Sequence, residues 1–285
     1  MNHLKPMIIV LLMLTSGLAG CAGADGQDGA DGQDGADAET PEINLYQANL
    51  FEAHLALRDL SNSNLSHANL ERSDLRYADL SGADLTGANL EQADLRGANL
   101  AGASLMWISA SDLRGCPAFL PTEWQCIGNN LVGPTADLRR VDLSYSNLDG
   151  ANLNAANLSV ANLAVASMRG ANLAGANLTG AGFGQSDLTG ANLRYAEMIY
   201  ANLNHANLSA ANLSNANLDG AFLFYTNLTG ADLSNANLRY AEMIYANLTG
   251  ADLSNTVLIG VYWEGTICPD GTNSDDVGNT CQFNL

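Results

Sequence analysis

From Ile43 onward, apolar residues recur at every fifth position. Leu stands at 45, 50, 55, 60 and each fifth residue to 105. The series resumes at 138 and runs to 258, with Met168, Phe183, Met198 and Met243 in place of Leu, and Trp263 closes it. Two residues before each centre stands a small residue, usually Ala, with Ser or Thr at Ser63, Ser73, Ser186 and Thr226; Asn or Asp sits between. A period of five suits neither regular element. Five residues advance an α-helix by about 500°, so successive Leu would spiral round the surface in steps of about 140°. On a strand, an odd period sends alternate Leu to opposite faces. One geometry buries the whole set. Each pentad forms one side of a square, the chain turns a corner at its end, and four pentads close a coil with every Leu on the axis.

The pattern A-(N/D)-L-x-x, carried by 39 pentads over about three-quarters of the chain, resembles the pentapeptide-repeat family. The resemblance implies an all-β fold, a right-handed quadrilateral β-helix, with the central Leu and the small residue facing inward. Four pentads per coil predict about ten coils and, at roughly 4.8 Å per coil, a rod of about 45 Å. Each buried Leu contributes roughly 1.5–3 kcal/mol. Arg58 stands at a small inward position, which predicts a distorted early coil.

The phase breaks once. Leu105 and Leu113 are eight apart, a slip of three, and Leu113 to Leu138 is again a multiple of five. This divides the repeats into a block at 43–113 and a block at 136–263, with 114–135 leaving the coil and returning in phase. Pro117, Pro121 and Trp124 predict a small hairpin or knob over the wall of the solenoid, read as a structural clip or a binding knob. Residues 264–285 lie beyond the repeats and contain the apolar Phe283. They are expected to cap an end that would otherwise expose a sheet edge and the core.

The N-terminus has a different character. Lys5 precedes the eight-residue apolar run Met7–Leu14, too short to span a bilayer, and residues 1–20 read as a secretion signal. Leu18-Ala19-Gly20-Cys21 resembles the lipobox of bacterial lipoproteins, which implies cleavage before Cys21, lipidation of its thiol and anchoring to a membrane in the cell envelope. The alternatives are an ordinary signal peptide and an uncut anchor. Ala22, in place of the Asp that retains some lipoproteins in the inner membrane, favours the outer membrane. Residues 21–42 follow as the lipidated Cys and an acidic Gly/Asp tether. Gly recurs there at every third position from 23 to 35, but the run lacks the Pro and the length of a collagen helix.

The remaining cysteines, Cys116, Cys126, Cys268 and Cys281, fall in two close pairs, each in its own non-repeat segment. Export favours disulfides, and the expected bonds are Cys116–Cys126 and Cys268–Cys281. With no His near either pair, no metal site is expected. Asp270, Asn273, Asp275 and Asp276 fail the EF-hand spacing.

The formal net charge of −19 argues against a nucleic-acid partner. His54, His67 and His205 fall at outward positions with no nucleophile in phase. Glu197 and Glu242, in the repeated segments Arg194–Tyr200 and Arg239–Tyr245, are 45 residues apart and belong on neighbouring faces. No catalytic site and no cofactor are expected. At 20 residues per coil, the pentads centred on 203, 223, 243 and 263 stack on one face. They present Phe222, Phe224, Tyr225, Ile244, Tyr245 and Tyr262, with Tyr240 at the adjoining corner. A contiguous patch of this kind marks an interface with a protein partner or a second copy, unless the C-terminal segment covers it.

The leading expectation is a membrane-anchored, exported scaffold or interaction module without catalytic activity. The family resemblance implies one rival, since some members are acidic DNA mimics that occupy a topoisomerase; those act in the cytoplasm, and an export signal argues against that role. A carbohydrate-active β-helix enzyme, the other rival, would need clustered carboxylates in a cleft.

Overall fold

A computed structural model describes residues 43–281. The expected signal 1–20, Cys21, the tether and Phe283 lie outside the described residues. The residue before each apolar centre forms one parallel bridge with the residue 20 positions on: Asn44 with Asn64, Asn49 with Asn69, His54 with Asp74 and Asp59 with Asp79. Four such columns make four sides, and four pentads therefore close each coil. The column through Asn49 continues without a break to Val257, eleven residues deep, or about 48 Å at the usual inter-strand spacing.

The pentad satisfies its own backbone, which explains the residue types it uses. In the first coil, Leu45 N donates to Asn64 O (2.7 Å) and Gln47 N to Ser66 O (3.0 Å), both in the next coil. Asn64 N donates back to Ile43 O at 2.9 Å. Ala48 N closes the corner onto Leu45 O at 2.9 Å, with Gln47 at φ 53°, the positive φ that a type II turn requires. The fifth amide, Tyr46 N, donates to the side chain of Asn44 at 3.1 Å. Hence Asn or Asp before the centre: a short side-chain oxygen caps the one amide that the ladder leaves over. The same bond recurs at Asn89–Glu91, Asn157–Ser159 and Asp252–Ser254. Asn carboxamides also bond along the axis, Asn172 to Asn152 at 3.2 Å and Asn192 to Asn172 at 3.0 Å.

The interior is a column of Leu and Ala. Leu60 to Leu100 and Leu148 to Leu248 are buried, with Met168, Phe183, Met198 and Met243 in the same position. At several small positions held by Ser or Thr the hydroxyl finds a carbonyl: Ser63 donates to Leu60 O, Ser186 to Phe183 O and Thr226 to Leu203 O, whereas the buried Ser73 hydroxyl has no hydrogen-bond partner among the described residues. The early coil is not distorted at Arg58. Asp79 N donates to Arg58 O at 2.9 Å, as Asp74 N does to Ala53 O, and Leu60 is buried. Its neighbours at the same level, Ile43, Ala48 and Ala53, are likewise only partly covered, so a long side chain at this level need not enter the axis.

Two expectations about phase are corrected. The register does not slip at Leu113. Ala110 is the next centre after Leu105, buried, with Ile108 and Ser109 in their proper places, and a small side chain at the centre conceals the pentad from a count of Leu. The extra chain lies further on, since Ser109 pairs with Asp137, 28 residues away rather than 20. Within that coil Gly115, one residue late, and Phe119, in phase, pair with Asp94 and Asn99. Only then does the chain form the antiparallel hairpin of β1 (Gln125–Ile127) and β2 (Asn130–Val132). Gly128 and Asn129 both have positive φ, the tight turn suited to a two-residue hairpin. Cys116 and Cys126 are bonded, with Cα atoms 5.9 Å apart.

The solenoid also extends one pentad past Trp263. Ile267 pairs with Asn247, and Cys268 takes the inward place of Leu. Its bond to Cys281 fastens a short 3-10 helix, Ser274–Val277, across the last coil. Ser274 Oγ donates to Trp263 O at 2.6 Å, and Asp275 accepts from Gly265 N at 2.8 Å. One core cluster runs from Val132 through Trp263 to these two cysteines.

Candidate interaction face

The outward side chains of each pentad come from the bridge residue and the two corner residues. On one side of the rod, the bridge column reads Asn202, Phe222, Glu242, Tyr262. The corner that enters this side carries Tyr200, Gly220, Tyr240 and Gly260; the corner that leaves it carries His205, Tyr225, Tyr245 and Gly265, all at positive φ. Phe224 and Ile244, one residue earlier on the leaving corner, are half-buried.

Stacking at 20-residue intervals brings these rings together. The His205 and Tyr225 rings are parallel with centroids 5.1 Å apart, and Tyr225 and Tyr245 stack at 5.0 Å. The column ends on Gly265, where a Cβ would lie 2.3 Å from the Tyr245 ring. On the entering corner, Tyr200 lies over Gly220 and Tyr240 over Gly260 in the same manner, while the Arg239 guanidinium sits 5.3 Å from the Tyr240 ring. The corner rings therefore lean along the axis onto the next coil. The face remains open to solvent: Tyr262 is 60% exposed and Tyr245 46%. The described part of the C-terminal segment closes the end of the core and leaves this face uncovered.

All seven side chains expected from the sequence, Phe222, Phe224, Tyr225, Tyr240, Ile244, Tyr245 and Tyr262, belong to this side or its corners. Tyr200, His205 and the exposed Ile259 extend it. The 20-residue interval places Tyr200 on the corner of Tyr240 and His205 on that of Tyr225, the signal that finds them. Acidic groups border the rings. Glu242 sits between Phe222 and Tyr262, and the Glu264 carboxylate, with Tyr225 and Asp275 adding to it, raises the Tyr245 phenol above its ordinary value. Glu197 pairs with Asn177 and Asn217 on the neighbouring side, so the two repeated segments present their carboxylates to different faces.

A second polar feature lies in the first block, an open cleft of about 500 Å³ lined by Glu52, His54, Arg72, Asp74, Arg76, Asp94 and Arg114. Its carboxylates are neutralised by arginines. Arg76 holds Asp74 through two bonds of 2.8 and 2.7 Å, and Arg96 holds Asp94 at 2.9 and 2.6 Å. The hydrogen bond from Arg76 takes the Asp74 carboxyl down to about 2, and Arg96 lowers that of Asp94. Both are thereby held as anions, the opposite of what a general acid requires. Among the described residues, no group of three or more His, Cys, Asp or Glu is arranged to hold a metal ion.

The geometry defines a four-sided solenoid in which one pentad makes each side. The family model described as pentapeptide repeats matches residues 48–92, 73–116, 136–173, 156–194, 186–223 and 223–255. The chain belongs to the pentapeptide-repeat family, whose members form right-handed quadrilateral β-helices. Among solved structures, it is similar to HetL, a pentapeptide-repeat protein involved in heterocyst differentiation regulation from the cyanobacterium Nostoc sp. strain PCC 7120, at 33% identity over 82% of this chain and 94% of that one, with a TM-score of 0.49. Rfr23 from the cyanobacterium Cyanothece 51142 is 44% identical over 33% of this chain and 59% of its own, with a TM-score of 0.25. QnrB1, a plasmid-mediated fluoroquinolone resistance protein, is 19% identical over 75% and 87%, with a TM-score of 0.33. No curated protein matches the chain.

Proposed function

We propose that this protein is an exported, lipid-anchored interaction scaffold, held at a membrane of the bacterial envelope through Cys21, that displays its C-terminal aromatic face to a protein partner. The observation that supports the reading is the face itself. Exposed corner Tyr side chains, stacked from coil to coil at Tyr225 and Tyr245 and seated on glycine at Tyr200 and Tyr240, supply contact area with little side-chain entropy left to lose on binding. The anchor rests on residues Leu18 to Cys21 and is tested apart from the face. Palmitate labelling and membrane fractionation of wild type and Cys21→Ala should show label and membrane association in the first only; label retained by the variant overturns the anchor. For the face, a photo-crosslinking residue at 225 or 245 in intact cells should give discrete crosslinked species. The same residue at 150 or 230, both on the next corner of the rod, should give none. Equal yields from all four positions would remove the face as the site of interaction.

A further inference from the structure

We infer that the aromatic face receives a cationic segment of its partner, whose Arg or Lys side chains lie against the Tyr225–Tyr245 column and pair with Glu242, Glu264 and Asp275, and that it does not receive a second copy of this chain. The inference rests on the interaction reading above and names the chemistry of the occupant. Three observations carry it.

The first is charge. From residue 195 to the C-terminus the sequence holds nine acidic residues against one basic residue, Arg239. Three of the nine border the rings: Glu242 lies between Phe222 and Tyr262 in one column, the Glu264 carboxylate interacts with Tyr245, and Asp275 accepts from Gly265 beneath that ring. The second is the use the chain already makes of the same chemistry. Arg239 lies 5.3 Å from the Tyr240 ring centroid and Arg194 4.9 Å from that of Tyr195, so corner tyrosines on this rod accept a guanidinium against the ring. Among the described residues, no arginine lies against the rings of the Tyr225–Tyr245 corner; the charges near Tyr245 are carboxylates. The third is symmetry. A two-fold dimer places the same patch against itself, which would set Glu242, Glu264 and Asp275 against their own copies with one arginine per chain to offset them. A cationic partner meets apolar area and countercharge together.

The probe is a fluorescein-labelled peptide that alternates arginine with leucine, titrated by anisotropy against the purified full chain with both disulfides intact; a peptide that alternates glutamate with leucine is the control. The arginine peptide should bind and the glutamate peptide should not. Tyr225→Ser with Tyr245→Ser should weaken binding by at least about tenfold, as should Glu242→Gln with Glu264→Gln and Asp275→Asn. A remote set of equal charge, Asp84→Asn with Asp142→Asn and Asp149→Asn, should leave binding nearly unchanged; an equal loss in this set would reduce the effect to general attraction by an acidic protein and overturn the inference. Sedimentation decides the other occupant, because a wild-type dimer that Tyr225→Ser with Tyr245→Ser dissolves would assign the face to a second copy. If the peptide fails while crosslinks from 225 and 245 persist in cells, the scaffold stands and the cationic occupant does not.

Discussion

The indole of Trp124 occupies the space that a side chain on Gly133 would need: a Cβ at Gly133 would lie 2.3 Å from Trp124 Cδ2. The two residues flank the hairpin, Trp124 just before β1 and Gly133 just after β2, and the corner from Gly133 to Ala136 returns the chain to the ladder. Trp124 packs against the main core cluster. The insertion is thus tied into the solenoid by an aromatic side chain that takes the place of a missing Leu. Trp124→Ala should lower stability by about 3 kcal/mol, near the lower end of the range for a buried aromatic, seen as an earlier guanidinium midpoint. Gly133→Ala should also destabilise, because its Cβ would displace the indole from its seat against the core. A neutral result in both would make the hairpin a surface ornament.

How much of this was legible beforehand depends on which residues report a position. The Leu period gave four sides, the coil and the inward face, because an apolar residue every fifth place has one arrangement that buries the set. The exposed face followed from the same period. What stayed hidden were pentads without a large centre: Ala110, whose methyl looks like nothing in a count of Leu, and Cys268, which reads as a cap cysteine. Gly133 was equally silent, since the group filling its place comes from nine residues earlier. The positive φ of the corners left only a partial mark, a recurrence of Gly, because Tyr, Gln, His and Val adopt it there as well, held by coil-to-coil bonds on either side.

Glycine at a corner does two separable things. Gly250 and Gly265 have similar backbone angles, φ 69° and 62°, but nothing lies within 4 Å of a Cβ at Gly250, whereas the Tyr245 ring lies over Gly265. Gly250→Ala should therefore cost only the left-handed backbone preference, about 1 kcal/mol. Gly265→Ala should cost more, by about a further 1 kcal/mol for the displaced ring. It should also weaken binding of the arginine peptide, a readout that Gly250→Ala leaves alone. Equal effects of the two substitutions would mean that the ring is not seated on Gly265.

Asp74 gives the first block a defined response to acid. Its carboxyl is held down at about 2 chiefly by the hydrogen bond from Arg76, opposed by partial burial, against about 3.9 in an unfolded chain. A lowered value in the folded state contributes stability that is fully present above about pH 4 and lost as the pH falls toward 2. The pair is partly solvent-exposed, so the contribution is small, under about 1 kcal/mol. Asp74→Asn should be less stable than wild type at pH 6, and the gap should close between about pH 4 and pH 2. A gap that stays constant with pH would assign the difference to packing.

The last coil should depend on the Cys268–Cys281 bond more than the middle of the rod does. Cys268 fills the inward place of a pentad whose only onward neighbour is the cap, and both cysteines are fully buried. Closing a loop of this size stabilises by about 3 kcal/mol, and in a solenoid each coil is supported mainly by its neighbours. The loss should therefore appear at the end rather than throughout. Cys268→Leu with Cys281→Ala keeps an apolar centre and removes only the bond. In that variant, amide exchange at Thr266 and Ser274, whose protons the structure places on Trp263 O and Thr266 O, should accelerate by at least about tenfold. Exchange at Asn192 and Asn212, further along the rod, should be unchanged. Uniform acceleration in all four amides would show that the rod unfolds as one unit and that the cap governs the whole of it.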